Sequence, residues 1–324
     1  MAAMDLRPLN LGELLDRTFT VYRNHFWMFV GIMALPESVL VVFYIWYSIQ
    51  LRPFASFPVS GNPTQTAAQI QQTFLTLFVS VGLLLIAYYI AYTIGLGATT
   101  FAVSDVYLGR PATIGSAYQK VRSRIGGLLG LSLLIIIVFF LCYVVTIVLA
   151  VLLVAVSALV SPMLAVLGGF IGAGLGIAFV IWLFLGFSVV APSYLLEQSG
   201  IIRALARSID LVRRNRGRAF VVLFLMVLVK MIVSYAFQMP FLIAMFVAIG
   251  KNHLPPLWLT GMSGIAGGVA GALTSPLLMI ALALFYYDVR VRKEAFDLQV
   301  MVANLDPRPG VLPPGAAPPP AALG

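Results

Sequence analysis

Two ionisable residues stand deep inside apolar runs of the chain. Glu37, which follows Pro36, and Lys230 each lie about 11 residues past the start of their run, roughly 16 Å at 1.5 Å per residue. An unpaired charge at that depth in hydrocarbon is costly, so each is expected to be paired or neutralised. A carboxylate and an ammonium at matched depth can form an ion pair. Such a pair could hold a proton, an ion or a headgroup, or simply fix the register of two helices. The structural role is the expected one.

The second chemistry is anion binding. The stretch QSGIIRALARSIDLVRRNRGRAF, residues 198–220, carries six arginines in a chain that is 61% hydrophobic and only 10% charged. Nucleic acid, an acidic partner and a membrane surface would all suit six arginines. The chain has little hydrophilic sequence from which to build a nucleic-acid-binding domain, so the membrane surface is expected. Catalysis has no comparable basis. His25 and His253 lack a neighbouring Ser, Cys or carboxylate, and no P-loop, dinucleotide fingerprint or HExxH occurs. The glycines of GGFIGAGLG have no strand before them. The single cysteine, Cys142, lies in an apolar run and reads as a small buried hydrophobe. No metal site or cofactor is expected, and the protein is not expected to be an enzyme.

The elements that position these residues follow from hydropathy. Mean hydropathy is +1.02, and no Asp, Glu, Lys or Arg occurs from Ile125 to Leu196. Apolar runs at about 26–51, 70–107, 125–157, 160–196, 219–250 and 257–289 each exceed the roughly 20 residues needed to cross a bilayer. The long uncharged segment divides into two spans near Ser157–Met163, where Ser-Pro favours a break. The expected fold is therefore an all-α integral membrane bundle with six spans. The N-terminus lacks the features of a cleaved secretory signal, so the first run is expected to remain as a span. Of 20 basic residues, 17 fall on one side of these spans. The positive-inside rule then places both termini in the cytoplasm.

Three segments before pairs of spans read as interfacial amphipathic helices. The arginine-rich stretch presents Ile201, Ile202, Leu205, Ile209 and Val212 on one face, with Ser199 as N-cap. Its basic residues Arg203, Arg207, Arg213 and Arg214 are expected at anionic headgroups. NLGELLDRTFTVYRN has Asn10 and Glu13 at capping-box spacing, an apolar stripe of Leu11, Leu14, Leu15, Phe19 and Tyr22, and the basic Arg17 and Arg23. TIGSAYQKVRSRI has Thr113 as cap, Ile114, Tyr118, Val121 and Ile125 on one face, and Lys120, Arg122 and Arg124. These segments suggest three repeats, about 9–107, 112–196 and 198–298, within a single transmembrane domain over 1–300. The even-numbered spans return through Tyr107, Tyr194, and Tyr286 with Tyr287, as interfacial anchors do.

Gly168, Gly172 and Gly176, and Gly264 with Gly268, recur at fourfold spacing suited to close helix packing. Packing within the chain is expected over self-association. Asp288, Arg290, Arg292, Lys293 and Glu294 extend the last helix, with i,i+4 pairs expected along a solvated surface. That surface, or another part of the cytoplasmic face, could also dock a protein partner. Pro36, Pro192, Pro240 and Pro276 each interrupt a span. The Pro/Ala-rich tail at 301–324 is expected to be disordered.

RPLNLGELLDRTFTVYRNHFWMFVGIMALP at the start and LALFYYDVRVRKEAFDL at the end resemble bacterial multispan proteins of the glycerophosphoryl diester phosphodiesterase membrane domain family. The resemblance covers about residues 5–300. In some members this membrane unit is joined to a soluble phosphodiesterase domain; none is expected within these residues, so no catalytic residue carries over. The resemblance implies a bacterial plasma-membrane location and an association with lipid metabolism. The function expected is a non-catalytic module that binds anionic lipids or a partner. The alternative is a small-molecule or lipid transporter using Glu37 and Lys230.

Overall fold

The computed structural model describes residues 8–55, 63–198, 200–251 and 255–295. These form ten helices: α1 (Leu11–Asn24), α2 (Phe26–Ala55), α3 (Pro63–Tyr107), α4 (Ile114–Arg122), α5 (Ile125–Ala158), α6 (Pro162–Gly186), α7 (Val190–Leu196), α8 (Ile201–Arg213), α9 (Arg216–Gly250) and α10 (Leu257–Glu294). No strand occurs among the described residues. Six helical segments are long and apolar enough to cross a membrane: Phe26–Gln50, Ile70–Tyr107, Ile125–Ala158, Pro162–Leu196, Arg216–Gly250 and Leu257–Glu294. This is a multi-pass membrane protein. Ser199, His253 and the tail at 301–324 lie outside the described residues.

The chain divides into two compact units. One comprises the chain up to Leu14, Ser123–Val222 and the chain from Leu282; the other comprises Leu15–Arg122 and Leu223–Ala281.

In the first unit, α5 and α6 form an antiparallel hairpin. The break falls at residues 159–161, and Ser161 caps α6 by accepting from Leu164 N at 3.2 Å. Pro162 takes the first helical position, where its missing N–H costs nothing. A methyl group at Gly172 would stand 3.1 Å from Ala150 Cα, while Gly168 faces Ser157 and Gly176 faces Thr146. The fourth span is not one helix: residues 187–189 form a turn between α6 and α7, and Pro192 sits inside α7. Val190 N bonds to Phe187 O at 3.1 Å, which leaves Gly186 O without its helical donor.

In the second unit, α2 packs against α3, and α4 packs against both. Pro36 and Pro276 lie within α2 and α10, which continue through them. On α10, Gly264 faces Tyr44 of α2, and Gly268 faces Val41 and the carbonyl of Glu37. The glycines singled out in the sequence therefore meet side chains and backbone of the same chain.

Candidate functional site

Two of the short helices begin with caps written in the sequence. At α1, Asn10 N donates to Glu13 Oε2 and Glu13 N donates to Asn10 Oδ1, both at 2.8 Å. At α4, Ser116 N donates to Thr113 Oγ1 at 3.2 Å, and Thr113 N donates to Ser116 Oγ at 3.1 Å. Each is a reciprocal capping box, the second with serine in the glutamate's place. At α8 the cap position is Gly200, which offers no side-chain acceptor.

The buried faces of these helices differ from the stripes read in the sequence. Leu14, Thr18 and Val21 are buried on α1, Ala117 and Val121 on α4, and Ala204, Ser208, Leu211 and Val212 on α8. Phe19, Ile114, Ile202 and Ile209 remain exposed. Small residues let a short helix approach a long one closely, and hydropathy alone overlooks that contribution to packing.

Each short helix also donates a hydroxyl to a carbonyl of a longer one. Pro36 lacks the N–H that would bond to Ile32 O, and Tyr118 of α4 donates there instead at 2.6 Å. Ser208 of α8 donates to the freed Gly186 O at 2.8 Å. Tyr22 of α1 donates to Leu273 O at 2.6 Å, one residue past the carbonyl that Pro276 frees. Burial pushes the Tyr22 phenol up to about 12 and raises Tyr118 as well, so both keep the proton they donate.

Carboxylates missed in the sequence fasten the same helices. Asp105, buried near the end of α3, pairs with Lys120 of α4 at 2.5 Å. Glu197, just past α7, accepts from Arg207 of α8 at 3.0 and 3.2 Å and from Tyr286 of α10 at 2.8 Å. Arg207 also pairs with Glu294, which Arg290 reaches at 3.1 Å. Burial alone would lower the pKa of Arg207. The hydrogen bonds and charges of Glu197 and Glu294 outweigh it and raise the value above the ordinary arginine range.

Asp288 holds the backbone that leads into α1. Its Oδ1 accepts from Leu9 N at 2.8 Å, and Arg218 and Arg292 approach its carboxylate at 3.1 Å. Both arginines also donate to Leu9 O. The expected i,i+4 pairs of α10 form, and Arg292 and Lys293 are exposed as expected, but Asp288 and Arg290 are only 2% and 7% exposed. The reason is that they fasten other segments as well as their own helix. The signal was available, because Asp105, Glu197 and Asp288 each stand within three residues of the tyrosines that close the even-numbered spans.

Glu37 and Lys230 come together through a third residue. Ser275 donates to Glu37 Oε1 at 3.2 Å, and Lys230 Nζ donates to Ser275 Oγ at 3.4 Å. Glu37 and Ser275 are buried, and Lys230 is half-buried. A methyl group at Gly271 would stand 2.5 Å from Glu37 Cδ, so a side chain there would force this carboxylate to move. The trio joins α2, α9 and α10 in one polar contact. Among the described residues, no group of three His, Cys, Asp or Glu side chains is placed to hold a metal ion.

The remaining basic residues divide by environment. Arg17 lies over the Tyr107 ring at 5.2 Å, and Arg216 over Trp182 at 4.0 Å. Arg124 is half-buried. Arg23, Arg110, Arg122, Arg203, Arg213 and Arg214 are exposed and have no ion pair among the described residues. No protein-family model, curated protein or solved structure matches the chain.

Proposed function

We propose that the protein is a non-catalytic module of the bacterial plasma membrane that binds anionic lipid headgroups through arginines on its cytoplasmic side. One observation carries this reading. Among the described carboxylates, only Asp16 lacks an intramolecular partner, whereas six exposed arginines have no carboxylate to pair with. All six are arginines, whose planar guanidinium matches phosphate oxygens in pairs. They lie on or beside α1, α4 and α8, in segments that the positive-inside rule puts on one side. The exposed Phe19, Ile114, Ile202 and Ile209 suit an interfacial setting for these helices, with apolar side chains entering the hydrocarbon boundary.

The threefold repeat gains support from the pairing rule of these helices. α4, from the second repeat, fastens to α2 and α3 of the first, and α8, from the third, fastens to α6 and α7 of the second. α1 fastens to α10 of the third through Tyr22. Each proposed interfacial helix thus braces the repeat before it, in cyclic order. The family resemblance of the two chain ends supports a lipid partner. Replacing all six arginines by glutamine is expected to bring the anionic fraction of co-extracted lipid down to that of the bulk membrane. Retention of the full enrichment would refute the proposal.

The transport alternative rests on the Glu37–Ser275–Lys230 trio, since a hydroxyl between a carboxylate and an ammonium can pass a proton either way. It requires that a Glu37→Gln, Lys230→Met double variant abolish proton or solute flux in proteoliposomes. Unchanged flux leaves the trio as a structural fastening.

A further inference from the structure

Two of the six exposed arginines stand in a groove. Arg213 and Arg214, at the end of α8, line a cavity of about 510 Å³ with Asp210, Lys293 and Glu294. That volume lies within the roughly 300–1,000 Å³ of small-ligand sites. Every lining residue is charged, but they are not equally available. Lys293 Nζ donates to Asp210 O at 2.5 Å and lies 3.8 Å from its carboxylate. Glu294 is engaged by Arg290 and Arg207. Arg213 and Arg214 alone have no ion pair among the described residues, so the groove offers an incoming group two uncompensated guanidinium ions.

We infer that this groove is a discrete binding site for a phosphate ester, with Arg213 and Arg214 gripping the phosphate oxygens. The chemistry narrows the ligand. Two guanidinium groups lining one groove present forked donors that match the tetrahedral oxygens of phosphate, whereas a single carboxylate has only two oxygens to offer them. Asp210 and Glu294 in the lining disfavour a ligand carrying several further negative charges, which points to a mono- or diester rather than a polyphosphate. A membrane lipid or a soluble phosphate ester could supply this group. The lipid source rests on the function proposed above; the site itself does not.

The test uses the full chain in nanodiscs of phosphatidylglycerol and phosphatidylcholine, released for native mass spectrometry. The wild type is expected to carry one tightly held phosphatidylglycerol adduct. An Arg213→Gln, Arg214→Gln variant is expected to lose it by about tenfold or more, the scale of one or two charge-assisted hydrogen bonds. An Arg23→Gln, Arg122→Gln, Arg203→Gln variant is expected to keep the adduct while losing part of its general anionic enrichment. Both variants change exposed side chains without ion-pair partners among the described residues, so folding is expected to survive.

Inorganic phosphate titrated into lipid-depleted protein in detergent, followed by ³¹P line broadening, tests the soluble source. Broadening that disappears in the Arg213→Gln, Arg214→Gln variant assigns the groove to soluble phosphate as well; its absence beside a lost lipid adduct assigns it to lipid. The inference is overturned if wild type shows neither adduct nor broadening, or if either signal survives unchanged in that variant. General anionic enrichment without any discrete adduct or broadening overturns the groove and leaves the surface reading standing. No enrichment alongside a discrete adduct does the reverse.

Discussion

At the residue scale, the structure turns on side chains that complete what a neighbouring helix lacks. Tyr118 supplies the donor that Pro36 cannot, and it does so from a separate helix. Removing the hydroxyl in Tyr118→Phe leaves Ile32 O unpaired in an apolar setting and is expected to cost about 1–2 kcal/mol. In a Pro36→Ala background residue 36 regains its own N–H, and the same change is expected to cost under about 0.5 kcal/mol. Thermal unfolding of the four proteins of this double-mutant cycle in detergent measures the coupling. Equal costs in both backgrounds would mean that the contribution of the hydroxyl does not depend on the N–H that Pro36 lacks. Asn10 and Thr113 were legible as caps because a capping box is local. Tyr118 was legible only as part of an apolar face, since its partner lies 86 residues away and no periodicity marks the hydroxyl.

At the scale of elements, the short helices are fastened by acids on the longer ones, in networks of different strength. Lys120 is 39% exposed at its side chain, so its pair with Asp105 is weakened by solvent. Glu197 instead serves Arg207, Tyr286 and Arg290, and the side chain of Arg290 is 8% exposed. Glu197→Gln is expected to destabilise by about 2–3 kcal/mol, because it leaves buried positive charge short of a partner. Asp105→Asn is expected to cost less than about 1 kcal/mol. Denaturation midpoints in a mild detergent compare the two, and a larger loss for Asp105→Asn would reverse the ranking.

The spans themselves were legible because apolar length is a one-dimensional property, as was the break near Ser157–Met163. The interruption at residues 187–189 was anticipated only as an effect of Pro192; the turn actually falls before that proline. The faces that α4 and α8 turn toward the rest of the protein were not legible, because small residues such as Ala117, Ala204 and Ser208 form the contact. Burial of a small residue reflects the closeness of its neighbour, which a hydropathy pattern does not record.

For the whole molecule, charge decides the reading. Acids are scarce, and nearly all the described ones are engaged internally, so arginines are left over at the ends of the spans. The sequence alone could count that surplus but could not say which arginines compose it. Arg207 and Arg218, grouped with the others by composition, serve Glu197, Glu294 and Asp288; Arg203, Arg213 and Arg214 do not. Matched depth drew attention to Glu37 and Lys230, which meet in the structure only through the Ser275 hydroxyl. Ser275 itself was not legible, because a serine in an apolar run carries no charge.

The most direct measurement is the lipid composition of the shell that the protein retains when extracted from its membrane into nanodiscs, compared with the bulk. An anionic fraction above bulk is expected for wild type, declining as salt is raised toward the molar range where headgroup charges are screened. A bulk-like fraction at every salt concentration is expected for the variant with glutamine at positions 23, 110, 122, 203, 213 and 214. A wild-type shell indistinguishable from bulk lipid would contradict the proposed function.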